Sequence, residues 1–229
     1  MSLVFDIKWN GLMWLAGGET SATQSHYSLA YSLDGIYWSV NPIANHQFYN
    51  NGGSIKNIEL SGSIWVITGN YADINNSVFI MYSNDGFNWV PIPYINLFGD
   101  TLFTSIKFSG KMWLLSSIST NTQDCFLGYS YDLFNWYPCT GVNFMTYVNT
   151  FDYNGLLWVC GGSNSSGNSS LGYSYDGIDW VESNSSLLEI CNIIKSNGSI
   201  WVAGGENTSL AYSYDGITWV ESPSASLII

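Results

Sequence analysis

Five times in 229 residues the chain repeats one phrase, and no other feature restricts its fold as much. The fifth copy, NGSIWVAGGENTSLAYSYDGITW, runs from Asn197 to Trp219, and earlier copies begin at Asn10, Ser61, Ser109 and Asn154. Each has a Gly, then a Trp three residues on: Trp14, Trp65, Trp113, Trp158 and Trp201. Each then has Tyr-Ser-x-Asp and a second Trp: Trp38, Trp89, Trp136, Trp180 and Trp219. The first Trp recurs at intervals of 43 to 51 residues. A period of that size marks a series of supersecondary units, propeller blades among them.

The fifth copy reads as four short strands, here A to D. LEICNIIKS is β-branched and apolar, Asn197-Gly198 turns the chain, and SIWVAGG follows. LAYSY, the Asp215-Gly216 turn and ITWVES complete it. Asn-Gly and Asp-Gly between such runs predict hairpins with type I′ turns. Helical periodicity is absent. The expected fold is all-β, a five-bladed β-propeller of four-stranded antiparallel blades. One closed domain is expected over 1–229, with repeats at about 3–40, 54–91, 102–138, 147–182 and 190–221. The A strands are expected near 3–9, 54–60, 102–108, 147–153 and 190–196. Every blade is then complete from consecutive sequence, and Ser226–Ile229 are free to pack on the first. Both Trp sets are expected to fill the layers between sheets.

Charge limits the partners. The net charge is −12, arginine is absent, and Lys8, Lys56, Lys107, Lys111 and Lys195 are scattered. Such a surface repels phosphate backbones, so nucleic acid is not an expected partner. The start, MSLVFDIKW, has no basic segment before an apolar core, and no apolar run reaches the length of a membrane span. Neither a signal peptide nor membrane insertion is therefore expected, which favours a cytoplasmic or virion-associated protein. The sequons at Asn75, Asn164, Asn168, Asn184, Asn197 and Asn207 then read as products of Asn/Ser-rich loops. Cys125, Cys139, Cys160 and Cys191 lack metal-ligand spacing and read as buried thiols, with Cys125 and Cys139 able to meet within one blade.

The C–D turns read YSLDGIYW, YSNDGFNW, YSYDLFNW, YSYDGIDW and YSYDGITW. They resemble the Asp box of sialidase-like propellers, S-x-D-x-G-x-x-W, with one residue fewer between Asp and Gly. The longer phrase resembles repeat proteins of large DNA viruses, phage tails and bacterial surfaces. The job of Asp34, Asp85, Asp132, Asp176 and Asp215 is local: to accept hydrogen bonds from the amides of their own turns. One acid per turn is too few for calcium. Leu133 replaces the turn Gly of the other copies, so it must hold a positive φ, and Leu133→Gly is expected to be stabilising. Lys8, Glu59, Lys107, Asp152 and Lys195 alternate in sign at one repeated position, which suits either a salt-bridged girdle or a solvated rim.

The A–B and C–D turns share one face and are uniform. The B–C and D–A connections share the other and vary, which is where binding on a rigid scaffold concentrates. Candidate ligand-binding residues there are His46, Tyr49, Asn50 and Asn51 in the longest connection, with Tyr94 and Asn143 in others. Gln47, Phe48, Phe98, Phe144, His26, Tyr27 and Tyr71 accompany them. Aromatic rings beside amides suit sugars. Sialidases clamp a carboxylate with arginines, which this chain lacks, and lysine does not replace that fork. No paired carboxylate motif stands out, and the two histidines lie in different segments. The expectation is a monomer that is not an enzyme and needs no cofactor or metal. It contacts a protein partner through the variable face, in a viral or surface assembly, or binds a glycan as a lectin.

Overall fold

The computed structural model describes all residues except 2, 20–27, 41–52, 94–100, 120–124, 165–169, 184–186, 208–209 and 224–229. Every regular element among the described residues is a strand. The first repeat forms β1 (Leu3–Trp9), β2 (Trp14–Glu19), β3 (Leu29–Ser32) and β4 (Ser39–Val40). The second forms β5 (Ser54–Ser61), β6 (Ile64–Asn70), β7 (Val78–Ser83) and β8 (Val90–Pro91). The third forms β9 (Thr101–Phe108), β10 (Trp113–Ser119), β11 (Cys125–Ser130) and β12 (Tyr137–Pro138). Next come β13 (Tyr147–Tyr153), β14 (Trp158–Ser163), β15 (Leu171–Ser174) and β16 (Val181–Glu182). The fifth repeat forms β17 (Leu188–Ser196), β18 (Trp201–Asn207), β19 (Leu210–Ser213) and β20 (Val220–Glu221). The five A strands lie within two residues of their expected bounds.

Two compact units divide the chain at the third A–B turn: Met1–Gly110 and Lys111–Ile229. In the first unit the antiparallel meanders β1–β4 and β5–β8 each form a four-stranded sheet, and β5 lies beside β1, β2 and β9. Ile55 and Ile58 of β5 pack on Met13, Leu15 and Leu29 of the first repeat, in one cluster with Trp65 and Trp89. In the second unit β10–β12 run in order, followed by the meanders β13–β16 and β17–β20, which a pairing of Ser163 with Ile190 joins. The same packing recurs there. Val148 and Phe151 meet Met112, Leu114 and Leu127, while Cys191 and Ile194 meet Leu157, Val159 and Leu171.

A β-bulge bends four of the A strands at one repeated place. Phe5, Lys56, Asn149 and Asn192 are the extra residues, opposite Gly17-Gly18, Thr68-Gly69, Gly161-Gly162 and Gly204-Gly205. This explains the repeated glycine of WVAGG. A Cβ on Gly18, Gly69, Gly162 or Gly205 would collide with the carbonyl oxygen of Leu3, Ser54, Tyr147 or Ile190. Neighbouring A strands are also stitched by side chains. Asn57 Nδ2 donates to the Thr104 carbonyl at 3.1 Å, and Asn149 Nδ2 to that of Cys191 at 3.1 Å.

Three expectations need correction. The turns are not type I′, because Leu133 is the one non-glycine residue with positive φ among the described residues. Asn10 Oδ1 instead accepts from the amides of Leu12 and Met13 at 2.9 and 2.8 Å, and Asn154 and Asn197 do the same in their copies. The side chain closes the turn, so only the following glycine needs the left-handed region. The Trp sets are buried except in the first repeat, where Trp14 is half-buried and Trp38 exposed. Leu133 holds φ 72° as expected, but its side chain is buried, so its removal costs packing that the sequence did not reveal. All four cysteines are free, and Cys125 and Cys139 form no bridge. Burial pushes the Cys139 thiol up to about 12. Ser226–Ile229 lie outside the described residues.

Candidate functional site

The turn face does structural work in every repeat. In the second, Ser83 Oγ donates to Asp85 Oδ1 at 2.9 Å and accepts from the Gly86 amide at 2.8 Å. Asp85 Oδ1 then accepts from the amides of Phe87 and Asn88, both at 2.8 Å, and Trp89 Nε1 donates to the Gly86 carbonyl at 3.2 Å. Asp34, Asp132, Asp176 and Asp215 repeat this pattern. The donated hydrogen bonds favour the ionised carboxylate. The Asn135 amide is the main cause holding Asp132 down to about 2. Asp215 also falls to about 2, because the bonds from Thr218 and Ile217 outweigh its desolvation.

The alternating charges begin as a girdle. Lys8 Nζ lies 3.2 Å from Glu59 Oε2, and Lys56 Nζ sits 3.8 Å above the Phe5 ring. Asp152 is buried and accepts the Ser196 amide at 2.9 Å. It therefore joins β13 to β17, as Asp6 joins β1 to β5 by accepting the Ile58 amide at 2.7 Å. Among the described residues no three His, Cys, Asp or Glu side chains gather as a metal site.

On the variable face, buried serines anchor the connections. Ser28 Oγ donates to the Gly53 carbonyl at 2.6 Å, and Ser170 Oγ to that of Leu188 at 2.8 Å. Each ties the end of a B–C connection to the start of the next A strand. The best-described part of this face surrounds Ser163, at the end of β14. Tyr147 of β13 is its partner on one side and Ile190 of β17 on the other. The Thr146 amide donates to the Ser163 carbonyl at 2.8 Å. The turn containing Asn143, the half-buried Tyr147 and Asn164, and the exposed Glu189 thus converge on one edge. Leu188 pairs with Asn207 and Cys191 with Gly205, so the irregular register also sets Glu189 and Ile190 opposite Glu206.

Of the expected ligand residues, only Asn143 belongs to the described residues, and it is exposed. His46, Tyr49, Asn50, Asn51 and Tyr94 lie outside them, as do Gln47, Phe48, Phe98, His26, Tyr27 and Tyr71. Phe144 packs in the core over Gly172, where a Cβ would strike its ring, so it is not a surface contact. Sequence reasoning missed Tyr147 and the pairing of Glu189 with Glu206. Tyr147 opens a strand, and the two acids are distant along the chain. The bulge that aligns them is signalled only by Gly204-Gly205.

No family model and no curated protein matches the chain. Solved structures do. The computationally designed Ika8 protein aligns with TM-score 0.57 and 8% identity over 96% of this chain and 62% of its own. A GH74 xyloglucanase from Xanthomonas campestris gives 0.51 and 14% over 92% of this chain and 41% of its own. Human WBSCR16 gives 0.51 and 8% over 87% and 58%. The chain thus spans about two fifths to three fifths of these neighbours, and the likeness is one of fold, a propeller-like all-β architecture. It corrects the expectation that the chain is not an enzyme. The xyloglucanase places a glycoside-cleaving activity on this fold, so the missing arginines exclude sialidase chemistry alone. No helix among the described residues is long and apolar enough to cross a membrane.

Proposed function

We propose that the five repeats are five four-stranded propeller blades and that the edge bearing the B–C and D–A connections binds carbohydrate. The observation that supports this most is the convergence on Ser163, which brings the Tyr147 ring, the Asn143 and Asn164 amides and the Glu189 carboxylate to one edge. A phenol ring stacks on the C–H face of a sugar, while amides and carboxylates take its hydroxyls. His46, Tyr49, Asn50, Asn51 and Tyr94 extend the same edge in this reading. Fold alone names no ligand, because one propeller scaffold serves many functions.

A glycan array followed by titration tests it. Tyr147→Ala should weaken binding of the best glycan about tenfold, and Asp176→Asn, in a turn of the opposite face, should leave affinity unchanged. Failure to bind any glycan would return the face to a protein partner in a viral or surface assembly. A second reading is glycoside cleavage, favoured by the register that sets Glu189 and Glu206 opposite each other at a strand end. Glycosidases work with two carboxylates across the scissile bond. Reducing-sugar release from a polysaccharide panel that includes xyloglucan, abolished by both Glu189→Gln and Glu206→Gln, would establish it. No release from any member would dismiss it.

A further inference from the structure

One packing joint recurs between consecutive sheets inside each unit. Its first half is made by two A-strand positions, ten and seven residues before the first Trp, with the second Trp of the repeat. These are Ile55, Ile58 and Trp89 in the second repeat, Val148, Phe151 and Trp180 in the fourth, and Cys191, Ile194 and Trp219 in the fifth, all buried. Its second half is the residue after the first Trp of the preceding repeat. Leu15, Val66, Leu114 and Val159 hold that position and are fully covered.

The terminal sheets leave these halves open. In the first repeat the A-strand positions are Val4 and Ile7, 59% and 47% exposed, and the second Trp is Trp38 at 39%. In the fifth, Val202 takes the place of Val159 and is 40% exposed. The first sheet thus presents the half of the joint that the last sheet lacks. The residue types also match: Val4 and Ile7 against Val202, as Ile55 and Ile58 against Leu15.

We propose that a second copy of this chain docks end to end, with the first sheet of one copy on the last sheet of the other. Exposed apolar faces of this kind mark association sites. A second copy supplies the exact residue pattern that covers each half elsewhere in the molecule, and it does so at both ends. The contact is heterologous, so it adds copies until a ring closes or a filament grows.

Sedimentation velocity over a wide concentration range tests the assembly. The wild-type chain should reach at least twice its 25.4 kDa mass as concentration rises. Ile7→Glu and Val202→Glu should each remain monomeric. Both sites are exposed, so both variants should melt with the dilute wild type. Mixed in equal amounts, they regain one intact joint per pair and should stop at the dimer, a twofold rise in mass. A wild type that stays monomeric at every concentration overturns the proposal. So does a mixture that stays monomeric, or a melting loss in the dilute variants, which would mean that the chain itself covers these faces.

Discussion

The first and second repeats share their sequence pattern, their strand order and their turn hydrogen bonds, yet differ in burial. Trp38 is 39% exposed and Trp89 is 3% exposed. Both indoles donate to the glycine carbonyl of their own turn at 3.2 Å. The difference is the neighbour: Trp89 joins a cluster with Met13 and Leu15 of the preceding repeat, while Trp38 has no preceding repeat in its unit. A repeat therefore encodes its own hairpins and borrows half of its core.

That comparison is sharpest in stability. Trp89→Ala should cost about 3–5 kcal/mol, the usual range for a fully buried aromatic, whereas Trp38→Ala should cost about 1 kcal/mol in dilute protein. Urea unfolding of the two variants beside wild type reads the difference. Equal losses would mean that the first repeat is covered as the second is.

A smaller effect is expected at Leu133. Its φ of 72° costs roughly 1 kcal/mol, but burying a leucine side chain gains about 1.5–3 kcal/mol, and glycine adds freedom to the unfolded chain. Leu133→Gly should therefore lower stability by about 1–2 kcal/mol, the reverse of what the turn sequence alone implied. A rise in melting temperature would show that strain outweighs packing there.

The smallest effect should ignore the neighbour altogether. Asp34 and Asp85 are both held below the ordinary carboxylate range, chiefly by turn amides, Tyr37 for one and Asn88 for the other. A carboxyl depressed in the folded state contributes stability above its unfolded value of about 3.9. That contribution is lost as pH falls through the lower folded value. Asp34→Asn and Asp85→Asn should thus lower the melting temperature by similar small amounts at pH 7, and the loss should shrink below about pH 4. A much larger effect at Asp85 would mean that cover from the preceding repeat strengthens the turn.

Much of the architecture was legible. Alternating β-branched and aromatic runs located the A strands, and the repeated Asn and Asp residues located the turns, because both signals are local. The turn type was misread, since Asn-Gly signals a hairpin without saying whether side chain or backbone closes it. The bulge opposite Gly18, Gly69, Gly162 and Gly205 depends on a partner strand and was not legible. Of the candidate site, Asn143 was found as an exposed loop amide. Tyr147 and Glu189 were not, because their meeting around Ser163 is a matter of register between strands of different repeats.

By itself the sequence determined the all-β class, the five repeats and the hydrogen-bonded turns, since each depends on residues a few positions apart. Only the tertiary structure decided which of two equivalent tryptophans is core, whether Leu133 is strained or useful, and which acids stand together. Those outcomes depend on what packs against a position, and identical words such as those around Trp38 and Trp89 cannot carry that information.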